Sequence, residues 1–370
     1  MTVSYSKLSQ EPIRLESNRV WRTYSGGKTI ETWQGLANPQ DSEFPEEWVA
    51  SLIRARNSGR EHLVNEGLSQ VTFSQGVTLT LKELIETEPE AFLGAGHVQK
   101  YGANPAVLVK VLDSRCRLSI QVHPDREFAA RVFNSRFGKT EAWYVLGGRK
   151  IDGEEPYLLF GFKPGMTRDK WRDLFERQDI AGMVDSLHRV PVVPGETLLI
   201  EGGLPHAIGP GCFLVEIQEP TDYTIRVERT TPEGKVISDF MCHQGAGFDK
   251  VLDCFHYDSY SLEETLARWR IPPSVIRREP GGSETELVGV KHTDKFRLHS
   301  LNLAGMMEFQ SQGAFSVLIV LSGAGRISYP GGALAIRQSD QIFLPASLSE
   351  FKVEAEPGAE LSLVRCFAPR

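Results

Sequence analysis

Short runs of Val, Ile, Leu and Phe, most of them closed by glycine or proline, recur along most of this 370-residue chain. They fall at residues 106–112, 118–122, 142–146, 197–200, 213–217, 315–321 and 341–344. Each is too short for a buried helix and is bounded by turn formers, so each reads as a strand. Turns such as Gly147-Gly148, Gly202-Gly203, Gly209-Pro210-Gly211 and Pro330-Gly331-Gly332 separate them. That spacing predicts antiparallel sandwiches or barrels and argues against a parallel sheet with alternating helices.

Helical periodicity is confined to four places: 45–56, 81–92, 167–178 with a continuation toward 188, and 262–270. In the third, Thr167 and Asp169 form a start signal, and Trp171, Leu174 and Phe175 share one face. This predicts a small helical insertion at about 164–190 within a β-rich region. From about 255 to 290 the chain turns polar, with Pro272-Pro273 and Pro280-Gly281-Gly282, before a fresh set of strands begins. The expected organisation is a first β domain over 1–255, a linker with a helix over 256–290 and a second β domain over 291–370.

Composition excludes several functional classes. With 41 basic and 48 acidic residues the net charge is −7, so the overall field favours neither nucleic acid nor an anionic membrane as partner. No apolar run approaches a transmembrane span, and the opening MTVSYSKLSQEPIRL lacks an apolar signal core, so the mature chain is expected to be the translated one. Five scattered cysteines without a CxxC pair suit a reduced, cytoplasmic protein.

The chemistry-bearing residues lie on the strands. In Leu118-Ser119-Ile120-Gln121-Val122-His123-Pro124, the period of two puts Ser119, Gln121 and His123 on one face. Lys139 and Glu141 share a face in the next strand, and Gly203-Leu204-Pro205-His206 delivers a second histidine from a tight turn. Gln121, His123, Glu141 and His206 together offer two nitrogens and two oxygens, a set suited to one Zn²⁺ per chain and tolerable to Mn²⁺, Fe²⁺ or Co²⁺. Taken singly, either histidine reads more readily as a hydrogen-bonded core or surface residue.

Three blocks, LSIQVHP at 118–124, GKTEAWYVL at 138–146 and GLPHAIGPGCFLVEIQEPTDYTIR at 203–226, resemble in order the signatures of the type I mannose-6-phosphate isomerases, the phosphomannose isomerases of the cupin superfamily. The likeness extends through Pro12-Ile13-Arg14-Leu15, Glu46-Glu47-Trp48 and LTLKELIETEPEAFLG at 79–94. It implies tandem cupin (jelly-roll) domains and a metal-dependent aldose–ketose isomerase of carbohydrate metabolism that interconverts mannose 6-phosphate and fructose 6-phosphate. The family's metal ligands fall on Gln121, His123, Glu141 and His206, its catalytic arginine on Arg226, an active-site glutamate on Glu216 and a pocket lysine on Lys139.

The sequence also departs from the family. The early Trp-Gly-Gly is spread out as Trp21-Arg22-Thr23-Tyr24-Ser25-Gly26-Gly27, and Glu201-Gly202-Gly203 replaces Pro-Ala-Gly. A downstream phosphate-associated lysine has no counterpart after Arg226, which leaves Ser119, Lys139 and Arg229 as substrate-binding candidates. That change motivates an alternative substrate, a different or unphosphorylated sugar; a metal-dependent oxygenase and a non-catalytic sugar-binding cupin are further rivals. In the C-terminal stretch, VLIVLSGAG at 317–325 and FLPAS at 343–347 repeat the cupin scheme, but Glu350 stands at the ligand-histidine position and no His-x-His lies upstream. That domain is therefore expected to be metal-free. The oligomeric state is left open.

Overall fold

A computed structural model describes residues 5–73 and 76–370. The chain is mainly β, and four sheets stack in layers. The first large sheet has the strand order Arg270–Ile271, Thr197–Ile200, Glu141–Gly148, Cys212–Gln218, Leu108–Asp113, Glu46–Val49 and Arg19–Val20, every pair antiparallel. Facing it is a five-stranded sheet of Leu187–Pro191, Tyr157–Phe162, His206–Ile208, Gln121–Val122 and Ile225–Arg226. Leu112, Trp143, Val145 and Leu214 of the first pack with Leu158, Phe160, Val190 and Ile208 of the second.

The C-terminal half repeats this scheme. A seven-stranded sheet includes Arg297–Leu303, Ser316–Ser322, Gln341–Leu344 and Leu361–Phe367, and it faces a four-stranded sheet of Met306–Gln310, Glu350–Ala355, Ala324–Tyr329 and Gly332–Arg337. Strand alternation gives both large sheets a second apolar face. Val109, Val111, Val215 and Ile217 of one pack in a single core with Val317, Ile319, Phe343 and Val364 of the other, so the two sandwiches stand back to back. Among the described residues no ladder closes on itself, so each unit is an open sandwich of jelly-roll type and not a sealed barrel.

Two short outlying strands tie the layers together. Ile13–Arg14 pairs with Phe343 and Ile342 of the C-terminal sheet, and Arg270–Ile271 pairs back onto Thr197–Leu198 of the first. The helical insertion is present as Arg168–Glu176, N-capped by Thr167, and Ile180–Asp185; Trp171, Phe175 and Met183 seal the outer face of the five-stranded sheet. Its continuation ends earlier than expected, because Leu187–Pro191 is already strand.

Three local expectations need correction. Residues 45–56 are not helical: Glu46–Val49 is a strand with Trp48 and Val49 fully buried, since sheet packing outweighs the helix propensity of the paired glutamates. Residues 81–92 split into Leu81–Thr87 and Pro89–Leu93, because Pro89 cannot continue the first helix. In the stretch expected to be a linker, the helix Leu262–Trp269 forms with a Ser261/Glu264 capping box, but Ser274–Glu279 and Gly282–Val288 then make a hairpin that extends the C-terminal sheet.

Candidate active site

Register places the donors. His206 and Gln121 are direct cross-strand partners in the five-stranded sheet, and Arg226 lies opposite Gln121 on its other side. Glu141 enters from the facing large sheet, on the inner face it shares with Trp143. The turn before His206 is fixed by Gly203, whose φ of +88° suits glycine and whose Cβ, if present, would stand 2.5 Å from the His256 ring. Its amide donates to the His123 carbonyl at 2.8 Å, so the two histidine segments are held together directly.

His123, Glu141 and His206 are completely buried, and their donor atoms all lie within 4.8 Å of one another. Nδ1 of His123 faces the Tyr223 carbonyl at 2.9 Å, and Nδ1 of His206 faces the Leu204 carbonyl at 2.8 Å. A carbonyl only accepts, so each Nδ1 carries the proton and each Nε2 presents a bare lone pair. These lone pairs converge on Glu141: His123 Nε2 is 3.2 Å from Oε2 and His206 Nε2 is 3.7 Å from Oε1. The Gln121 amide stands 3.2 Å from His206 Nε2, and rotating that amide presents its oxygen instead.

Donors on a tetrahedron with bonds of about 2.0–2.1 Å lie roughly 3.3 Å apart, so this set has the spacing and chemistry of a divalent-metal site. The Lys139 ammonium donates to His123 Nε2 and to Glu141 Oε2, each at 2.8 Å, which shows that the nest accepts a cation. Burial, then the Lys139 charge, lowers the His123 pKa to about 3, and burial lowers that of His206 to about 4, so both rings are neutral, as ligands must be. Burial alone would raise Glu141, but the Lys139 ammonium overcomes it and holds the carboxyl well below its usual range.

Above the donors lies a narrow cavity of about 40 Å³ lined by Ser119, Gln121, Lys139, Glu216 and Arg226 among others. Trp143 Nε1 donates to Glu141 at 3.0 Å and to Glu216 at 3.3 Å, linking the two carboxylates. Burial, and then the nearby Glu141 charge, raises the pKa of Glu216, although Lys110 donates to it at 2.9 Å. The Arg226 guanidinium donates to the carbonyls of Met241 at 2.9 Å and Thr224 at 3.2 Å, and it forms no ion pair among the described residues. Arg229 is not brought into the cavity; it is exposed, over the Phe248 ring, 4.0 Å from Asp239.

A buried ion network beside the cavity escaped the sequence reading. Arg22 pairs with Glu46 at 2.9 Å and with Asp222 at 3.0 Å; Tyr24 and Trp48 donate to Glu46; Lys110 bridges Glu216 and Glu46. One signal was available: Lys110 and Glu216 are lone charges inside apolar runs, and they are direct cross-strand partners. For Glu46 and Asp222 burial opposes ionisation, yet Arg22 and then Lys110 hold both below their ordinary values of 4.5 and 3.8. The unfolded chain therefore binds more protons as pH falls through those values, and the stability these pairs contribute is present above them and lost below. The melting temperature should be flat down to about pH 5 and fall steeply beneath it. A melting temperature that stays level through that acid window would contradict the linkage.

Similarity to known proteins is consistent along the chain. Residues 21–141 match the family described as "Phosphomannose isomerase type I, catalytic domain", a segment that carries Gln121, His123, Lys139 and Glu141, and residues 285–364 match "Mannose-6-phosphate isomerase, cupin domain". Both matches point to the type I phosphomannose isomerases, one over the segment that carries three of the four donors and one over the C-terminal sandwich. The mannose-6-phosphate isomerase ManA of Bacillus subtilis is 28% identical over 278 residues, 74% of this chain and 78% of that protein. The Streptococcus mutans mannose-6-phosphate isomerase is 25% identical over 76% of this chain and 82% of its own length. The crystal structure of the Bacillus subtilis mannose 6-phosphate isomerase superposes with a TM-score of 0.73 at 23% identity, covering 96% of this chain and 99% of the other, which establishes the cupin fold. Among the described residues His123, Glu141 and His206 form the one group of His, Cys, Asp and Glu with metal-ligand spacing, and none occurs in the C-terminal half.

Proposed function

We propose that the chain is a metal-dependent mannose-6-phosphate isomerase whose chemistry lies in residues 1–255, with residues 291–370 forming a metal-free supporting unit. The observation that carries this reading is the convergence of two bare imidazole Nε2 atoms, one carboxylate and one amide beneath a cavity lined by Lys139, Glu216 and Arg226. We assign Gln121, His123, Glu141 and His206 as ligands and zinc as the metal, since mixed N/O sets with room for a substrate oxygen suit it. Five thiols without a disulfide fit a cytoplasmic enzyme, and no helix among the described residues is long and apolar enough to cross a membrane.

Aldose–ketose interconversion moves a proton between C1 and C2 of an α-hydroxy carbonyl through an enediolate. Bound at the cluster, a divalent ion supplies Lewis-acid polarisation of the substrate oxygens, on the order of several kcal/mol. Glu216 takes the role of the base: it lines the cavity, burial raises its proton affinity, and Trp143 fixes its distance from Glu141. Arg226 stabilises the negative charge that develops on the substrate. Lys139 lies between ligands and cavity, where its ammonium is able to swing from Glu141 toward a substrate hydroxyl.

Isomerisation of an unphosphorylated sugar is favoured by one observation. Of the cavity-lining cations, Arg22, Lys110, Arg117 and Lys139 are already paired with carboxylates, leaving Arg226 as the available anion anchor. Comparing turnover of mannose 6-phosphate and mannose decides between them. The proposal expects kcat/KM for the phosphate ester to exceed that for mannose by about a hundredfold or more, the worth of a charged contact kept through the reaction. Equal rates would reassign the substrate.

A further inference from the structure

A second cavity, much larger than the one above the donors, lies in the half without the His123–Glu141–His206 cluster. It encloses about 1210 Å³ between the two sheets of the C-terminal sandwich, with the helix Ala95–Tyr101 along one side. Its lining contains six basic residues, Lys100, Arg277, Arg297, Lys352, Arg365 and Arg370, against the acidic Glu284, Glu308 and Glu350. A net positive lining in a chain of net charge −7 is a local reversal of field.

Inside it, the polar groups are organised but incompletely satisfied. Arg297 and His299 lie two apart on Arg297–Leu303, and His299 and Arg365 are direct cross-strand partners, so all three share the inner face of the large sheet. Leu301, Leu303, Leu361 and Leu363 fill the same face farther along, which makes the polar end a built feature and not an accident of the pattern. Arg365 is buried; its Nε donates to Ser316 at 3.0 Å, its plane stacks near Phe309, Phe351 and Phe367, and it forms no ion pair among the described residues. Arg297 Nε is buried without a hydrogen-bond partner, and so is Nε2 of the buried His299. His299 Nδ1 lies 2.7 Å from Glu284, so the proton is on that nitrogen and Nε2 is left as an acceptor.

A buried guanidinium and a half-buried one that both lack carboxylates, beside an acceptor that lacks a donor, describe the complement of a ligand. We propose that this cavity binds a small hydroxylated oxyanion, a phosphate ester or a hydroxycarboxylate, with Arg365 and Arg297 on its charged group and His299 Nε2 accepting from its hydroxyl. Burial pushes both guanidiniums down to about 10, a cost that a bound anion removes. The site is separate from the His123–Glu141–His206 cluster, and the proposal stands whichever sugar the first sandwich isomerises.

The test uses the full chain with inorganic phosphate and, separately, citrate as probes. Hydrogen exchange is followed in the loop 310–315, which lines the cavity, and affinity is measured by calorimetry. Saturable protection of that loop by either anion supports the site, phosphate alone indicating a phosphate ligand and citrate alone a carboxylate. In Arg365→Met, and in the more peripheral Arg297→Gln should the first fail to fold, the dissociation constant should rise about tenfold to a hundredfold, with isomerase activity retained. Absence of protection by both anions, or equal affinity in a folded variant, overturns the proposal.

Discussion

Replacing His206 with alanine should yield a folded protein that holds less than about a tenth of an equivalent of zinc and has lost at least about a thousandfold in kcat/KM. The imidazole supplies one of two nitrogens in the cluster, and what remains, one nitrogen with the oxygens of Glu141 and Gln121, is a poor zinc site. His206 is completely buried and its Nδ1–H is committed to the Leu204 carbonyl, so the truncation also leaves that acceptor unpaired. A melting curve therefore accompanies the measurement: about 1–3 kcal/mol of destabilisation is expected from the orphaned carbonyl. Metal analysis with a rate assay reads the result. Full turnover in a zinc-free variant would remove the metal from the mechanism.

Arg226→Ala should behave differently. Its guanidinium lines the cavity without touching the donors, so zinc content should match the parent while kcat falls about 10²- to 10³-fold, the usual cost of losing a group aimed at developing charge. Steady-state kinetics separates two roles, because loss of transition-state charge stabilisation lowers kcat, whereas loss of a phosphate anchor raises KM with kcat preserved. The second outcome would make Arg226 the holder of the substrate dianion, consistent with every other cavity cation being paired.

The donor set was legible because it is local. Gln121 and His123, and Lys139 and Glu141, are two apart on extended chain, so period-two alternation alone puts each pair on one face, and the Gly203 turn announces His206. Joining those three segments rested on their donor chemistry and was then strengthened by the family resemblance, since cross-strand register is not written in any single segment. The Arg22–Glu46–Asp222 network was not legible for the same reason: its members are 24 and 200 positions apart in the chain. Residues 45–56 misled because Glu46-Glu47-Trp48 carries helical residues, and only the burial of Trp48 against the neighbouring strands reveals the sheet. Arg229 looked like an anion anchor by proximity to Arg226, but the next segment carries it outward onto aromatic rings.

The back-to-back arrangement of the two large sheets also bears on how the chain is made. When synthesis has passed Ile271, every strand of the first sandwich exists, yet the face carrying Val109, Val111, Val215 and Ile217 still lacks the sheet that covers it, and Ile13–Arg14 has no partner to pair with. Residues 272–370 take roughly 5 to 20 s more to emerge at ordinary rates of translation. For that interval the nascent N-terminal sandwich presents an apolar sheet face to its surroundings, so the ribosome-bound chain, and not the finished protein, is the species with the greatest need of a chaperone.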